Sequence, residues 1–272
     1  MSAAGLVTRA LQTGVWVAVL LGLVLLIRRP FAKAFGAQAA YWLWALPALR
    51  TVLPPLPGLG IGWPQRPNPD LPIQAMPALP LDPSVAATPA QAAPGSPTDW
   101  ALVGLIAYAL VGAGWFAFTF ARHLRFRRAV IRDSDPVSLP QAASAAKALG
   151  LRRLPELRLA HDATGPLTFG WLRPVVVLPA GATDSFTPAE LSHILLHEFA
   201  HAKRGDLLAA YAALLFRAFH WANPLAHIAA RSFRADMEAA CDAHVLRASA
   251  TDAPAYAATL IQSATQTSGR TP

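Results

Sequence analysis

The polar and apolar positions of this chain fall into two regimes. Up to about residue 120 the apolar runs are long and barely interrupted; beyond about residue 136 they are short and periodic. Residues 11–27 (LQTGVWVAVLLGLVLLI) carry no charge over close to the ~20 residues that cross a bilayer as a helix. Arg28-Arg29 follow at once, where a cleaved leader would show small residues, so the run reads as a membrane span. Residues 35–53 form a weaker second span, interrupted by Pro47 and by Arg50, which can snorkel to its end. Residues 54–97 are rich in proline and alanine and read as an extended, polyproline-like connector. Residues 100–120 (WALVGLIAYALVGAGWFAFTF) give the cleanest span.

The second regime predicts a small α+β domain. Residues 140–149 read as a short helix stopped by Gly150, and residues 156–161 (ELRLAH) alternate as a strand does. Val175-Val176-Val177-Leu178 is a β-branched run, joined to that strand through a turn-rich segment, which predicts a hairpin or small sheet. Thr187-Pro188-Ala189-Glu190 is a capping box with proline at the first helical position, and Gly205 is a stop for the helix it opens. A second helix is expected from an Asp206 cap to about residue 222. Being apolar nearly all round, it suits a buried, interfacial or re-entrant segment. A third begins at Asn223-Pro224 and breaks at residues 249–254; a short last helix covers 256–261.

Composition sharpens this picture in one respect. Apolar residues make up 54% and charged residues 14%, against roughly 25% charged in soluble domains, which points to the lipid bilayer as a partner. The net charge of +8 matters through its placement. Arg28, Arg29 and Lys33 follow the first span and Arg122, Arg125, Arg127 and Arg128 follow the third, so both ends are expected inside and the connector outside. No basic helix with interleaved aromatics appears, and direct nucleic-acid binding is not expected. The single cysteine, Cys241, excludes an intramolecular disulfide and reads as a buried small side chain. The expected division is 1–33 first span and cytoplasmic loop, 34–54 second span, 55–98 extracytoplasmic connector, 99–121 third span and 122–272 cytoplasmic domain.

Chemistry concentrates in His197-Glu198-Phe199-Ala200-His201. Four residues bring a helix back to nearly the same face, so His197 and His201 can share one zinc ion. Glu198 lies about 100° round the axis, off the ligand line and suited to take a proton from the attacking water. A catalytic zinc needs one more protein ligand. Glu238 and Asp242, four apart on the third helix, share a face; Glu238 can complete a His-His-Glu set and Asp242 can orient a ligand histidine through its distal nitrogen. The competing reading pairs Glu238 with Arg234 on an ordinary surface, and Asp236 and Glu190 are the rival ligands. Asp236 faces about 140° away and Glu190 serves the capping box. His193 lies about 12 Å along the axis from His201, too far to share the ion, and His227 is three turns from Glu238. Tyr211, His244 and Tyr256 are equal candidates for an oxyanion donor.

The three apolar runs, Phe169-Gly170-Trp171-Leu172-Arg173-Pro174, HEFAHAKRGD, His220-Trp221-Ala222-Asn223-Pro224 and Glu238-Ala239-Ala240-Cys241-Asp242 together resemble the BlaR/MecR family of integral-membrane metallopeptidases. The resemblance implies one Zn2+ on His197, His201 and Glu238, with Glu198 as base and Asp242 behind a ligand. It implies a membrane region of three helical spans followed by a cytoplasmic zincin-like (gluzincin-type) α+β metallopeptidase domain. Its best-known members sense β-lactams through a further span and a penicillin-binding domain, and trigger loss of a cytoplasmic repressor. Neither segment occurs up to Pro272, so proteolysis is carried over and antibiotic sensing is not. The expected function is a zinc endopeptidase of the bacterial inner membrane, cleaving a cytoplasmic protein such as a small winged-helix repressor, or itself, in signal transduction. A strand at 175–178 offering its edge to the substrate would fit that role. The alternatives are a zinc-stapled transducer without catalysis and a membrane quality-control protease.

Overall fold

The computed structural model describes residues 3–53 and 100–268, apart from Asp162 and Thr164. The connector expected at 55–98 lies outside the described residues. Helix α1 (Ala3–Phe35) is 33 residues long and runs on through Arg28-Arg29. Gly36 then takes φ 88, a left-handed conformation open to glycine at little cost, and turns the chain into α2 (Ala37–Trp42). Helix α3 (Ala45–Val52) follows after a break at Leu43-Trp44. Pro47 causes that break. It has no N–H for the Leu43 carbonyl four residues back, which is taken by Leu46 N at 3.1 Å instead. The stretch expected as one second span is therefore two short helices. Among the described residues, two helices are long and apolar enough to cross a membrane: α1 and α4 (Trp100–Arg132). Both present leucine, valine and phenylalanine outward, including Val19, Leu26, Leu110 and Phe118, as a helix in lipid does.

The sheet has four strands: β1 (Ser134–Pro136), β2 (Glu156–Ala160), β3 (Leu167–Phe169) and β4 (Val175–Pro179), in the order β1-β2-β4-β3. β1 lies antiparallel to β2, β2 parallel to β4, and β3 antiparallel to β4. The hairpin is thus β3–β4. Gly170 starts its turn at φ 78, where any Cβ would strike the Arg173 carbonyl. The expectation that Val175, Val176, Val177 and Leu178 offer a free edge is overturned. Their strand pairs on both sides, and all four side chains are buried. A β-branched run marks a strand buried on both faces as readily as an edge. The strands with an unpaired side are β1 and β3.

Helices α5 (Pro140–Ala148), α6 (Ala182–Ser185) and α7 (Pro188–Arg204) accompany the sheet, and Gly150 stops α5 with φ 61. Ala142, Ala145 and Ala146 let α5 approach closely in a core that holds Val176, Leu178, Ile194, Leu195 and Phe199. Full burial of each large member of this set contributes about 1.5–3 kcal/mol. Helices α8 (Asp206–Phe219), α9 (Pro224–Ala248) and α10 (Ala253–Ser268) complete the chain, α10 being longer than the expected 256–261.

Helices α8 and α9 form a hairpin packed against the two apolar helices. Tyr108 Oη of α4 donates to the Phe219 carbonyl (2.9 Å), and Trp221 Nε1 donates to the Tyr108 carbonyl (3.1 Å). At the other end of α8, Tyr211 meets Phe120 and His123, so α8 runs antiparallel to α4. On α9, Ala226 and Ala229 pack with Val17, Leu21 and Val24 of α1, and Asp236 reaches Arg28, so α9 runs parallel to α1. It follows that α1 and α4 run in the same direction.

Candidate metal centre

Helix α7 begins as the sequence predicts. Thr187 Oγ1 accepts from Glu190 N (3.3 Å), and the Glu190 carboxylate accepts from Thr187 N (2.8 Å) and Thr187 Oγ1 (2.9 Å). These bonds from Thr187 hold the Glu190 carboxyl below its ordinary range and leave it no part in the site. Gly205, at φ 72, ends the helix and its N–H bonds the His201 carbonyl.

One turn apart on α7, the imidazoles of His197 and His201 stand nearly perpendicular, at 87°, with their Nε2 atoms 3.1 Å apart. Helix α9 brings Glu238 Oε2 to 3.5 Å from His197 Nε2 and 3.2 Å from His201 Nε2. Tetrahedral ligands at zinc bond lengths of about 2.0–2.1 Å stand about 3.3–3.4 Å from one another. The three donor atoms have nearly that spacing. Each histidine is also anchored by its other nitrogen. His197 Nδ1 lies 3.1 Å from Asp242 Oδ1 and 3.0 Å from Tyr256 Oη, and Tyr256 Oη donates to the same carboxylate at 2.9 Å. His201 Nδ1 lies 2.8 Å from Asp206 Oδ2. An Nδ1–H given to a carboxylate leaves the Nε2 lone pair aimed at the shared point, so the donor set suits a metal dication.

Electrostatics tell the same story. Burial disfavours the His197 imidazolium, but Asp242, Glu238 and Glu198 outweigh it and push the group up to about 10. His201 is raised too, burial being overcome by Asp206, Cys241 and Glu238. Burial works against the Glu238 carboxylate, yet the two histidines hold it well below the usual carboxylate range.

Glu198 is buried beside this cluster, and its Oε2 accepts from Thr168 Oγ1 of β3 at 2.6 Å. Sequence reading did not single out Thr168; its partner is thirty residues away and nothing local marks it. Asp206 is a correction. It does not cap α8, because Gly205 holds the cap position; its buried carboxylate turns back to His201 and to Arg204 Nε (3.0 Å). Of the three oxyanion candidates, Tyr256 stands behind His197, and Tyr211 pairs with His123 Nε2 at 2.8 Å. His244 has a buried Nε2 without a partner among the described residues. His193 packs on Tyr256 and meets Thr259 Oγ1 at 3.0 Å, while His227 meets the Trp221 carbonyl at 2.8 Å. Asp236 faces α1, not the histidines.

Among the described residues Cys241 also could join a metal site, its Sγ lying within 4.8 Å of nitrogens of His197 and His201. The thiol is fully buried and points to the His197 backbone carbonyl (3.6 Å), whereas Glu238 is partly exposed and directed at both Nε2 atoms. An open catalytic position favours the carboxylate. An apolar cavity of about 290 Å³, lined in part by Leu21, Trp44, Ala229 and Phe233, includes none of these donors and is separate from the site.

A buried glutamate beside converging histidines on α7, in a chain that also has two membrane-type helices, fits a metallopeptidase. The chain belongs to the BlaR1 peptidase M56 family, whose model matches residues 8–272. It is 38% identical over 82 residues to the regulatory protein BlaR1 of Bacillus licheniformis, covering 30% of this chain and 14% of that protein. It is 33% identical over 90 residues to BlaR1 of Staphylococcus aureus, covering 33% of this chain and 15% of the relative. The methicillin resistance mecR1 protein of Staphylococcus aureus (strain Mu50 / ATCC 700699) is 32% identical over 82 residues, with shares of 30% and 14%. The matched stretch therefore spans about a seventh of these curated relatives.

Proposed function

We propose that this chain is a zinc-dependent endopeptidase of the bacterial inner membrane that acts in signal transduction on a cytoplasmic protein. The observation that carries this reading is the convergence of His197 Nε2, His201 Nε2 and Glu238 Oε2 beside the buried carboxylate of Glu198. His197, His201 and Glu238 hold the ion, and Asp242 and Asp206 fix the two rings. A zinc ion held by these residues would supply Lewis-acid chemistry, polarisation of a carbonyl and acidification of water. Glu198 accepts the proton of the attacking water and returns it to the leaving amine. Thr168 donates to the Oε2 atom of Glu198 and fixes its rotamer. Because Thr168 belongs to β3, the unpaired side of that strand lies next to the site and suits an extended substrate as an added strand. β1 is three strand positions away, about 14 Å.

The α7–α9 pair under a mixed sheet supports a gluzincin-type domain within residues 122–272, although α4 runs on to Arg132. The common direction of α1 and α4 supports three spans. Both helices end in arginine clusters, so the chain must cross back between them, and α2–α3 begins that return. A reporter active only in the periplasm is expected to be active when fused within residues 64–97 and silent when fused after Arg128; the reverse pattern overturns the orientation.

The zinc-stapled transducer without catalysis is the runner-up, and it leaves Glu198 and its bond from Thr168 without a role. A small repressor as substrate, the chain itself, and an unfolded membrane protein share this chemistry. Detergent-purified protein assayed for zinc content and for cleavage of each candidate separates them.

Zinc must displace the protons held by the histidines, so its affinity is expected to rise with pH. The sign is fixed by His197, whose folded value of about 10 exceeds its ordinary 6.5. Its protonation stabilises the metal-free fold fully below about pH 6.5, and that contribution is lost as pH rises towards about 10. Zinc affinity over that window should grow about tenfold per pH unit for each proton released, measured by chelator competition. A flat profile overturns the assignment of His197 as a ligand.

A further inference from the structure

The corner that follows the first membrane helix grips the metal centre at two places. Gln38, two residues past the Gly36 turn, accepts a hydrogen bond at Oε1 from Arg204 Nη1. The same guanidinium donates through Nε to Asp206 Oδ2 (3.0 Å) and through Nη1 to the Ala240 carbonyl of α9 (3.1 Å), and stands 5.2 Å over the Tyr41 ring. Asp206 Oδ2 is the atom that anchors His201 Nδ1. The second grip is on Asp236, which accepts from Arg28 Nη1 (2.6 Å) and Trp44 Nε1 (2.8 Å). Asp236 stands two residues before Glu238 on one continuous helix. A segment of seventeen residues, 28–44, therefore reaches behind one histidine and holds the far side of α9 two residues before the glutamate.

Simple helix-to-helix packing has no need of this arrangement. Arg204 and Asp206 are 7% and 3% exposed, and Arg204 Nη2 and Asp206 Oδ1 are buried without partners among the described residues. Taking such charges out of water is costly, and apolar side chains of the same volume commonly pack as well or better. What the polar chain adds is direction: it ties the carboxylate behind His201 to the position of α2.

We propose that the α1–α2 corner is the input element of the metal centre, with Gln38 and Asp236 as positioning residues through which movement of the first membrane helix loosens His201 and Glu238 together. This rests on the reading of the site as a metal centre and names its regulation. Loss of the Gln38 bond frees Arg204, which then holds Asp206, and through it His201, less firmly. Loss of the Asp236 grip frees α9 relative to α1 at the level of Glu238.

The test uses the full chain in detergent, with zinc affinity from chelator competition and the ligand-field spectrum of the Co2+-loaded protein. Gln38→Leu keeps the size and removes the acceptor. It is expected to weaken zinc about tenfold, the low end of the effect of removing a partner behind a ligand, and to alter the Co2+ spectrum, with the metal-free Tm lowered by the lost partner of the buried Arg204 charge. Gln38→Glu keeps an acceptor for Arg204 and is expected to restore both. Asp236→Asn, which removes the charge facing Arg28, should weaken zinc in the same direction and gives an independent reading if Gln38→Leu does not fold. Wild-type affinity and spectrum in Gln38→Leu, or in Asp236→Asn where that alone folds, overturn the proposal. So does equal loss in Gln38→Glu and Gln38→Leu, the mark of packing alone. A wild-type chain that binds no zinc overturns the underlying metal-centre reading instead.

Discussion

Glu198→Gln is expected to keep its zinc and its fold and to lose peptide hydrolysis by roughly 10²–10⁴-fold, the usual worth of a positioned general base. The substitution is close to isosteric. Thr168 Oγ1 can still donate to the amide oxygen as it does to Glu198 Oε2, so neither β3 nor α7 has reason to move. What disappears is a carboxylate able to take a proton from water and return it to the departing amine. The two measurements that matter are zinc content of the purified variant and its turnover of a cleaved substrate. Full zinc with lost turnover separates an enzyme from a zinc-stapled transducer. Undiminished signalling by this variant in cells sinks the endopeptidase assignment.

Glu238→Ala should have the second large effect, this time on the metal. Among the described residues its carboxylate is the only acid directed at both Nε2 atoms, at 3.5 and 3.2 Å. Removing it leaves two neutral nitrogens, fewer protein ligands than a catalytic zinc site carries. Zinc occupancy of the detergent-purified chain is expected to collapse with membrane insertion intact. Two comparisons calibrate the result. Asp242→Ala should weaken zinc by only about 10- to 100-fold, since Asp242 acts on the ring of His197 and not on the ion. Glu190→Ala should leave zinc in place and cost about 1 kcal/mol of helix stability at most, through the lost capping box. Full zinc retention in Glu238→Ala would send the assignment to Cys241, the neighbouring thiol near the histidines.

What could be read before the fold was known divides along the range of the interactions. The start of α7, its stop at Gly205 and the shared face of His197 and His201 are set by neighbours within one or two turns, and all were legible. Glu238 and Asp242 were legible as a pair because helical spacing alone puts them on one face. Asp206 misleads for the same reason. Viewed locally, an aspartate at a helix start is a cap, and only the turn of the chain through Gly205 shows that it faces His201. Strand β4 was taken for an edge because a valine run does not reveal how many neighbours it has. Thr168 and the Arg28–Asp236 pair join residues far apart in the chain, and no window of sequence contains both partners.

The Arg28–Asp236 bond also bears on the order of manufacture. Its partners are 208 residues apart. At about 5–20 residues added per second, the ribosome needs roughly 10–40 s after making Arg28 before Asp236 exists. For most of that interval both grips of the α1–α2 corner lack their partners, Arg204 being made first and Asp236 after it. His197 and His201 are made before Glu238, so the donor set is incomplete until α9 is synthesised. A nascent chain of this kind carries its two histidines without their carboxylate partner until α9 packs against α7 and α1.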